Sequence, residues 1–193
     1  MSARNTIGAH REKYARIERE RRFLVAEFPS GGRPVRVTEI VDRYFPGTTL
    51  RLRRMTARVG EGATEIFKLT QKVRSESGGP ERGLITNTHL SETEYELLAR
   101  LPGDDLRKTR FSIPPMGVDV FAPPLDGLNL AEAEFATDEE MMEFRPPSYA
   151  LTEVTNDPRF NGGELTRATR GEIASWLADY GVRLEDRGRR PGS

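Results

Sequence analysis

The chain reads as an α+β protein, mainly β, arranged as a sandwich or a barrel. Short segments of alternating apolar and polar residues recur between Gly/Pro punctuation, at Pro29-Ser30-Gly31-Gly32, Pro46-Gly47, Gly78-Gly79-Pro80, Pro114-Pro115 and Pro123-Pro124. Helical signals, by contrast, are few and local. At 193 residues the length fits one domain and supports a sizeable core without disulfide or metal staples.

In order, residues 15–28 predict a first strand that ends in a turn, and 35–45, 48–55, 64–74 and 82–90 predict four more. As a helix, the first of these would instead carry Arg16–Glu20 and Glu18–Arg22 as i,i+4 ion pairs. Further strands are expected at 111–113, 117–122 and 128–136. Ser91 with Glu94, and Thr137 with Glu140, are capping-box pairs that open helices. Residues 164–180 predict a C-terminal helix with Leu165, Ala168, Ile173, Trp176, Leu177 and Tyr180 as its apolar positions and Gly181 as its stop. Trp176, Met141 and Met142 read as packing residues. The expected organisation is a flexible arm at 1–13, one domain at 14–186 and a disordered basic tail at 187–193.

Cysteine is absent, which removes disulfides, thiolate metal sites and cysteine nucleophiles. Zinc is disfavoured with only two histidines, His10 in the arm and His89 before the Ser91 helix. Lys+Arg and Asp+Glu are each 30, so no basic excess argues for nucleic acid, and no apolar run is long enough to span a membrane. With no secretory leader apparent at the start, a soluble cytoplasmic protein is expected. Charged residues nevertheless make up 31% of the chain, above the usual ~25%.

That charge is patterned. Side chains at i, i+2 and i+4 of a strand share a face. Glu18, Glu20 and Arg22 therefore share one, as do Arg51 and Arg53, Lys68, Thr70 and Lys72, Lys108 and Arg110, and Glu132 and Glu134. On isolated strands these rows would be solvated faces. If the sheet closes with the rows inside, clustered Lys and Arg call for a phosphate-like anion. The paired carboxylates then suit a hard cation such as Mg²⁺ or Mn²⁺.

The same segments resemble the CYTH superfamily, the triphosphate tunnel metalloenzymes. Residues 18–22, Glu-Arg-Glu-Arg-Arg, resemble its opening E-x-E-x-K signature. Leu50-Arg51-Leu52-Arg53 is similar to its arginine strand, and residues 68–72 to its lysine strand. Lys108-Thr109-Arg110-Phe111 resembles its K-x-R element, and Val118-Asp119-Val120-Phe121 the strand after it. Ala131-Glu132-Ala133-Glu134-Phe135 resembles its late E-x-E-F strand, and residues 154–161, VTNDPRFN, its V-T-x-D-x-R-Y-x-N segment. The matches run in family order from about residue 16 to 165.

The resemblance implies a closed antiparallel eight-stranded barrel, or tunnel, with flanking helices and a C-terminal helix. It implies divalent-metal-dependent hydrolysis of inorganic triphosphate or a small organic triphosphate in the lumen. Related chemistries on the scaffold are binding with little turnover and adenylate cyclisation. By carry-over, Arg51, Arg53, Lys68, Lys72, Lys108, Arg110 and Arg159 bind phosphate. Glu18, Glu20, Glu132 and Glu134 hold Mg²⁺ or Mn²⁺, with Asp119 an additional candidate. Glu18, Glu20 and Arg22 carry the catalytic signature. A triphosphate-containing small molecule is the implied partner, and relatives commonly pair their barrels, which makes a homodimer an option.

Two departures stand out. The signature lysine is Arg22. The strand after the lysines, which usually carries a further glutamate pair, has Asn87 and His89 on one face instead, and Gly117 stands where relatives often have a glutamate.

Overall fold

The computed structural model describes residues 14–29, 33–59, 62–74 and 82–184. The arm at 1–13 with His10, and the tail at 187–193, lie outside the described residues.

Nine strands form one antiparallel sheet: β1 (Arg16–Leu24), β2 (Arg36–Tyr44), β3 (Leu50–Val59), β4 (Gly62–Arg74), β5 (Arg82–Leu90), β6 (Asp104–Ile113), β7 (Met116–Phe121), β8 (Asn129–Glu134) and β9 (Thr152–Glu153). Their order is β5-β4-β3-β2-β6-β7-β8-β1-β9, and a further β1–β5 pairing closes the first eight into a barrel. Closure runs through four residue pairs, Arg16↔Ile85 to Arg19↔Arg82. β1 is the shared element. Beyond Arg19 it pairs with β8, and its last two residues also take on β9. Closure removes the sheet edges that would otherwise need protection.

Among the described residues four helices decorate the barrel: α1 (Glu92–Ala99), α2 (Asp138–Glu143), α3 (Gly162–Leu165) and α4 (Arg170–Ala178). The capping boxes at Ser91–Glu94 and Thr137–Glu140 are both formed. The single helix expected at 164–180 is in fact two. Thr169 accepts from the Glu172 backbone N–H in a capping box of its own and opens α4, so residues 166–169 break the helix. Gly181, at φ +70°, follows the end of α4 as expected. β6 starts at Asp104, earlier than the 111–113 strand read from sequence. β9 is too short for periodicity to reveal.

Two apolar clusters fix these elements. One joins an end of the barrel to the C-terminal helices, with Leu24, Leu106, Phe121, Leu130, Phe160, Leu165, Ile173 and Leu177 all buried and Trp176 packed against them. The other covers the outer faces of β1, β7 and β8, where Phe23, Val118, Ala131 and Ala133 meet Phe144 and Tyr149. Because apolar residues on these strands are claimed by the outside, their alternate charged residues face in.

Candidate active site

Inside the barrel is a cavity of about 600 Å³. The carboxylates Glu18, Glu20, Glu132 and Glu134 line it, as do the cations Arg22, Arg51, Arg53, Lys72, Lys108 and Arg110. Register makes this arrangement. Glu20 stands opposite Glu134 and Arg22 opposite Glu132 across the β1–β8 ladder. Arg53 stands opposite Asp42 on β2 and opposite Lys68 on β4. The acidic rows thus share one wall, and the arginines and lysines of β3, β4 and β6 supply others.

The charges are paired in a definite way. Lys72 Nζ lies 2.5 Å from Glu18 Oε2 and donates to Glu20 Oε1 at 2.8 Å. Arg22 donates through Nη2 to Glu20 at 2.9 Å and through Nε to Glu132 at 3.0 Å. Its Nη1 reaches the backbone oxygen of Phe160 at 3.1 Å and Asn161 Oδ1 at 3.2 Å. Arg110 holds Asp119 through two nitrogens at 2.6 and 2.7 Å and also donates to Glu132. Lys108 donates to Asp119 as well. Arg53 forks onto Asp42 at 2.5 and 2.7 Å. Arg51 is different: its Nε is buried without a hydrogen-bond partner, and the nearest carboxylate oxygen, Asp42 Oδ1, is 3.6 Å away.

The pairing sets the protonation states. Burial alone would raise the Asp42 carboxyl, but Arg53 and Arg51 outweigh it and hold it at about 2. Burial opposes ionisation of Glu132 too, yet Arg110, Lys108 and Arg22 hold it well below the carboxylate range. Glu18 moves the other way, pushed up by burial and then by the neighbouring Glu20 charge. Lys68 is pushed down by burial and then by Arg53 and Arg51.

Three residues expected at the site sit elsewhere. Asp119 has no exposure and is absent from the lining; its oxygens are taken by Lys108 and Arg110. In this structure its oxygens face those two cations rather than the cavity. Arg159 is bound by Asp157 and Asp179 and does not line the cavity. Lys68 lies on the inward row but beyond the lining, with no ion-pair partner among the described residues. Asn87 accepts a hydrogen bond from Thr70 at 2.7 Å, His89 is exposed, and neither reaches the cavity wall.

The sequence reading also missed residues. Asp42 is the one acid on the inward face of β2, and only the β2–β3 register shows that it orients Arg53. Tyr44, Thr155 and Asn156 line the cavity too, brought there by the end of β2 and by the chain after β9.

A divalent cation fits the donor set. Glu18, Glu20, Glu132 and Glu134 offer carboxylate oxygens, the donors a hard cation takes, and Glu18 is raised by burial and then by the neighbouring Glu20 charge, which a cation would offset. Glu134 makes no ion pair among the described residues and stands directly opposite Glu20. Among the described residues no three His, Asp or Glu groups form a preassembled cluster, because Glu18, Glu20 and Glu132 are turned onto Lys72, Arg22 and Arg110.

No family model matches the chain. A relative from Nitrosomonas europaea, named inorganic triphosphatase, is 32% identical over 158 residues, which is 77% of this chain and 95% of that protein. The crystal structure of an inorganic triphosphatase is similar at a TM-score of 0.50 and 28% identity, covering 78% of this chain and 95% of the other. A second crystal structure of that protein gives 0.50 and 29%, covering 79% and 99%. Shared sequence over nearly the whole relative, a closed eight-stranded barrel and rows of charge turned inward establish that the chain belongs to the CYTH superfamily, the triphosphate tunnel metalloenzymes.

Proposed function

We propose that the protein is a divalent-metal-dependent hydrolase of inorganic triphosphate, with a small organic triphosphate as the wider substrate class. The observation that carries this reading is Arg51, whose buried Nε lacks an acceptor on the cavity wall beside Arg53, opposite an acidic β1–β8 wall. An anionic oxygen supplies the missing acceptor. The similarity to a protein named inorganic triphosphatase supports the reading.

In this reading Arg51, Arg53, Lys108 and Arg110 bind phosphate oxygens. Asp42 and Asp119 fix the directions of those side chains beforehand, so little reorganisation is needed when negative charge builds on the phosphoryl group. Lys72 is the most exposed of these cations: its side chain is 42% exposed and bridges Glu18 and Glu20. It swings from the carboxylates to the triphosphate when the chain of phosphates enters. Glu18, Glu20 and Glu134 would hold Mg²⁺ or Mn²⁺, with Glu132 beside them. The cation would neutralise phosphate charge and polarise the phosphoryl oxygens. Arg22 spends its donors on Glu20, Glu132, Phe160 and Asn161, so its role is to position the carboxylates. In-line attack by water then depends on alignment and charge neutralisation.

The test is phosphate release from tripolyphosphate, ATP and thiamine triphosphate with Mg²⁺ or Mn²⁺, with products identified. Metal-dependent release from tripolyphosphate is expected. Pyrophosphate together with cyclic AMP from ATP would make the protein a cyclase. Thermal stabilisation by tripolyphosphate with no turnover of any of the three would make it a binding module.

A further inference from the structure

Residues 156–165 cap the cavity. Asn156, Phe160, Asn161, Gly162 and Leu165 line it, and Arg159, in their midst, does not. Its side chain goes to the end of α4 instead. Nη1 donates to Asp179 Oδ2 at 2.6 Å, while Nε and Nη2 donate to Asp157 at 3.0 and 2.7 Å. The Tyr180 hydroxyl donates to the same Asp157 at 2.8 Å. The guanidinium carbon lies 6.0 Å from the Phe160 and Trp176 rings and 5.9 Å from the Tyr180 ring.

On its inner side the cap is held by Arg22, through the Phe160 backbone oxygen and Asn161. Two arginines therefore grip one short stretch of backbone from different sides. The stretch has no slack against the barrel, because a Cβ at Gly162 would lie 1.9 Å from the Tyr44 hydroxyl oxygen. Tyr44 in turn stands directly opposite Arg51 in the β2–β3 ladder.

We propose that Arg159 is a positioning residue for triphosphate binding: it fixes the cap through Asp157 and Asp179, and the cap fixes Tyr44 and with it Arg51. The inference rests on the triphosphate reading for its ligand but not for its geometry. One planar fork serves two carboxylates while lying among three rings, which a lysine ammonium cannot reproduce.

The experiment compares Arg159→Ala, Arg159→Lys and Gly162→Ala with the unaltered protein. It measures amide hydrogen exchange across residues 156–165 without ligand, tripolyphosphate affinity by calorimetry, and steady-state kinetics. Arg159→Ala is expected to speed exchange in the cap about tenfold, since lost tethers lower the local opening free energy. It is also expected to weaken tripolyphosphate binding about tenfold, with KM rising alongside and kcat nearly unchanged. Arg159→Lys restores only part of both. Gly162→Ala leaves the Arg159 contacts in place and weakens binding by displacing Tyr44.

A raised KM with unchanged cap exchange would mean that Arg159 touches phosphate directly, and the proposal falls. It falls equally if Arg159→Ala lowers the melting temperature while KM and kcat stay put well below it. If the unaltered protein neither binds nor cleaves tripolyphosphate, the triphosphatase reading fails and Arg159 has no triphosphate to position. The ligand-free exchange measurement then still shows whether it latches the cap.

Discussion

Asp42, with no exposure to solvent, grips Arg53 through both carboxylate oxygens, at 2.5 and 2.7 Å, from the strand next door. A buried carboxylate at this position is costly by itself and is stable only because Arg53 and Arg51 face it. Removing it leaves two arginines on a half-closed wall without their counter-charge. Asp42→Ala should therefore lower stability by about 3–5 kcal/mol, measured by chemical denaturation. A loss within the noise of a surface substitution would show that the pair is solvated.

The same carboxyl gives the protein an acid limb. Its folded pKa of about 2 lies below the ordinary 3.8. The unfolded chain therefore binds the proton first, and stability conferred by the pair is complete above the ordinary value and drains away as pH falls towards 2. The shift corresponds to about 2 kcal/mol. Unfolding free energy measured between pH 5 and pH 2 should fall less steeply in Asp42→Asn than in the unaltered chain. Parallel curves would assign the acid limb to other carboxylates.

Glu18→Gln with Glu20→Gln should abolish metal-dependent phosphate release and leave the melting temperature near its original value. Both side chains line the cavity. Neutral amides also remove the cost of burying the Glu18 charge, and with it the smaller repulsion from Glu20. Full activity in the double variant would remove these residues from the metal site.

Arg51→Ala should weaken tripolyphosphate binding by about 1–3 kcal/mol, the usual worth of a hydrogen bond to a charged group. Its Nε has no hydrogen-bond partner in the protein, while its charge still faces Asp42, so a loss on binding should come with a smaller loss of stability. Calorimetry that finds equal affinity would place the phosphates elsewhere on the wall.

Thr169→Ala should cost about 1 kcal/mol, because it removes the side chain that caps α4 while leaving the cavity untouched. Kinetic constants should not move at low temperature.

Much of the inward face was legible because a strand repeats every two residues. Arg51 and Arg53, Lys108 and Arg110, or Glu132 and Glu134 need only the alternation to be placed on one side. Which side that was became visible from their partners: Ala131 and Ala133 fit only under Phe23 and Phe144, so the glutamates must turn in. Asp42 was not legible, since an acid on a strand that also carries Glu39 and Arg43 looks the same whether it orients an arginine or wets a surface. Arg159 misled for a related reason. Its place in a recognisable segment said that the segment reaches the cavity, and could not say that this one side chain leaves by the other side. The Thr169 capping signature was present, but the apolar spacing ran straight across it.

β1 makes the barrel whole only by waiting for the far end of the chain. Strands from β2 to β7 join neighbours close in sequence, except where β6 crosses back to β2. The Arg22–Glu132 contact spans 110 residues and the one from Arg21 to Glu153 spans 132. Loops that long are entropically expensive to close early. Of the described strands, then, the one nearest the N-terminus completes its ladders only with the ones furthest along the chain. Until β8 and β9 emerge, the growing chain carries an open sheet with its charged interior hydrated, and the cavity comes into being as one of the final events of folding.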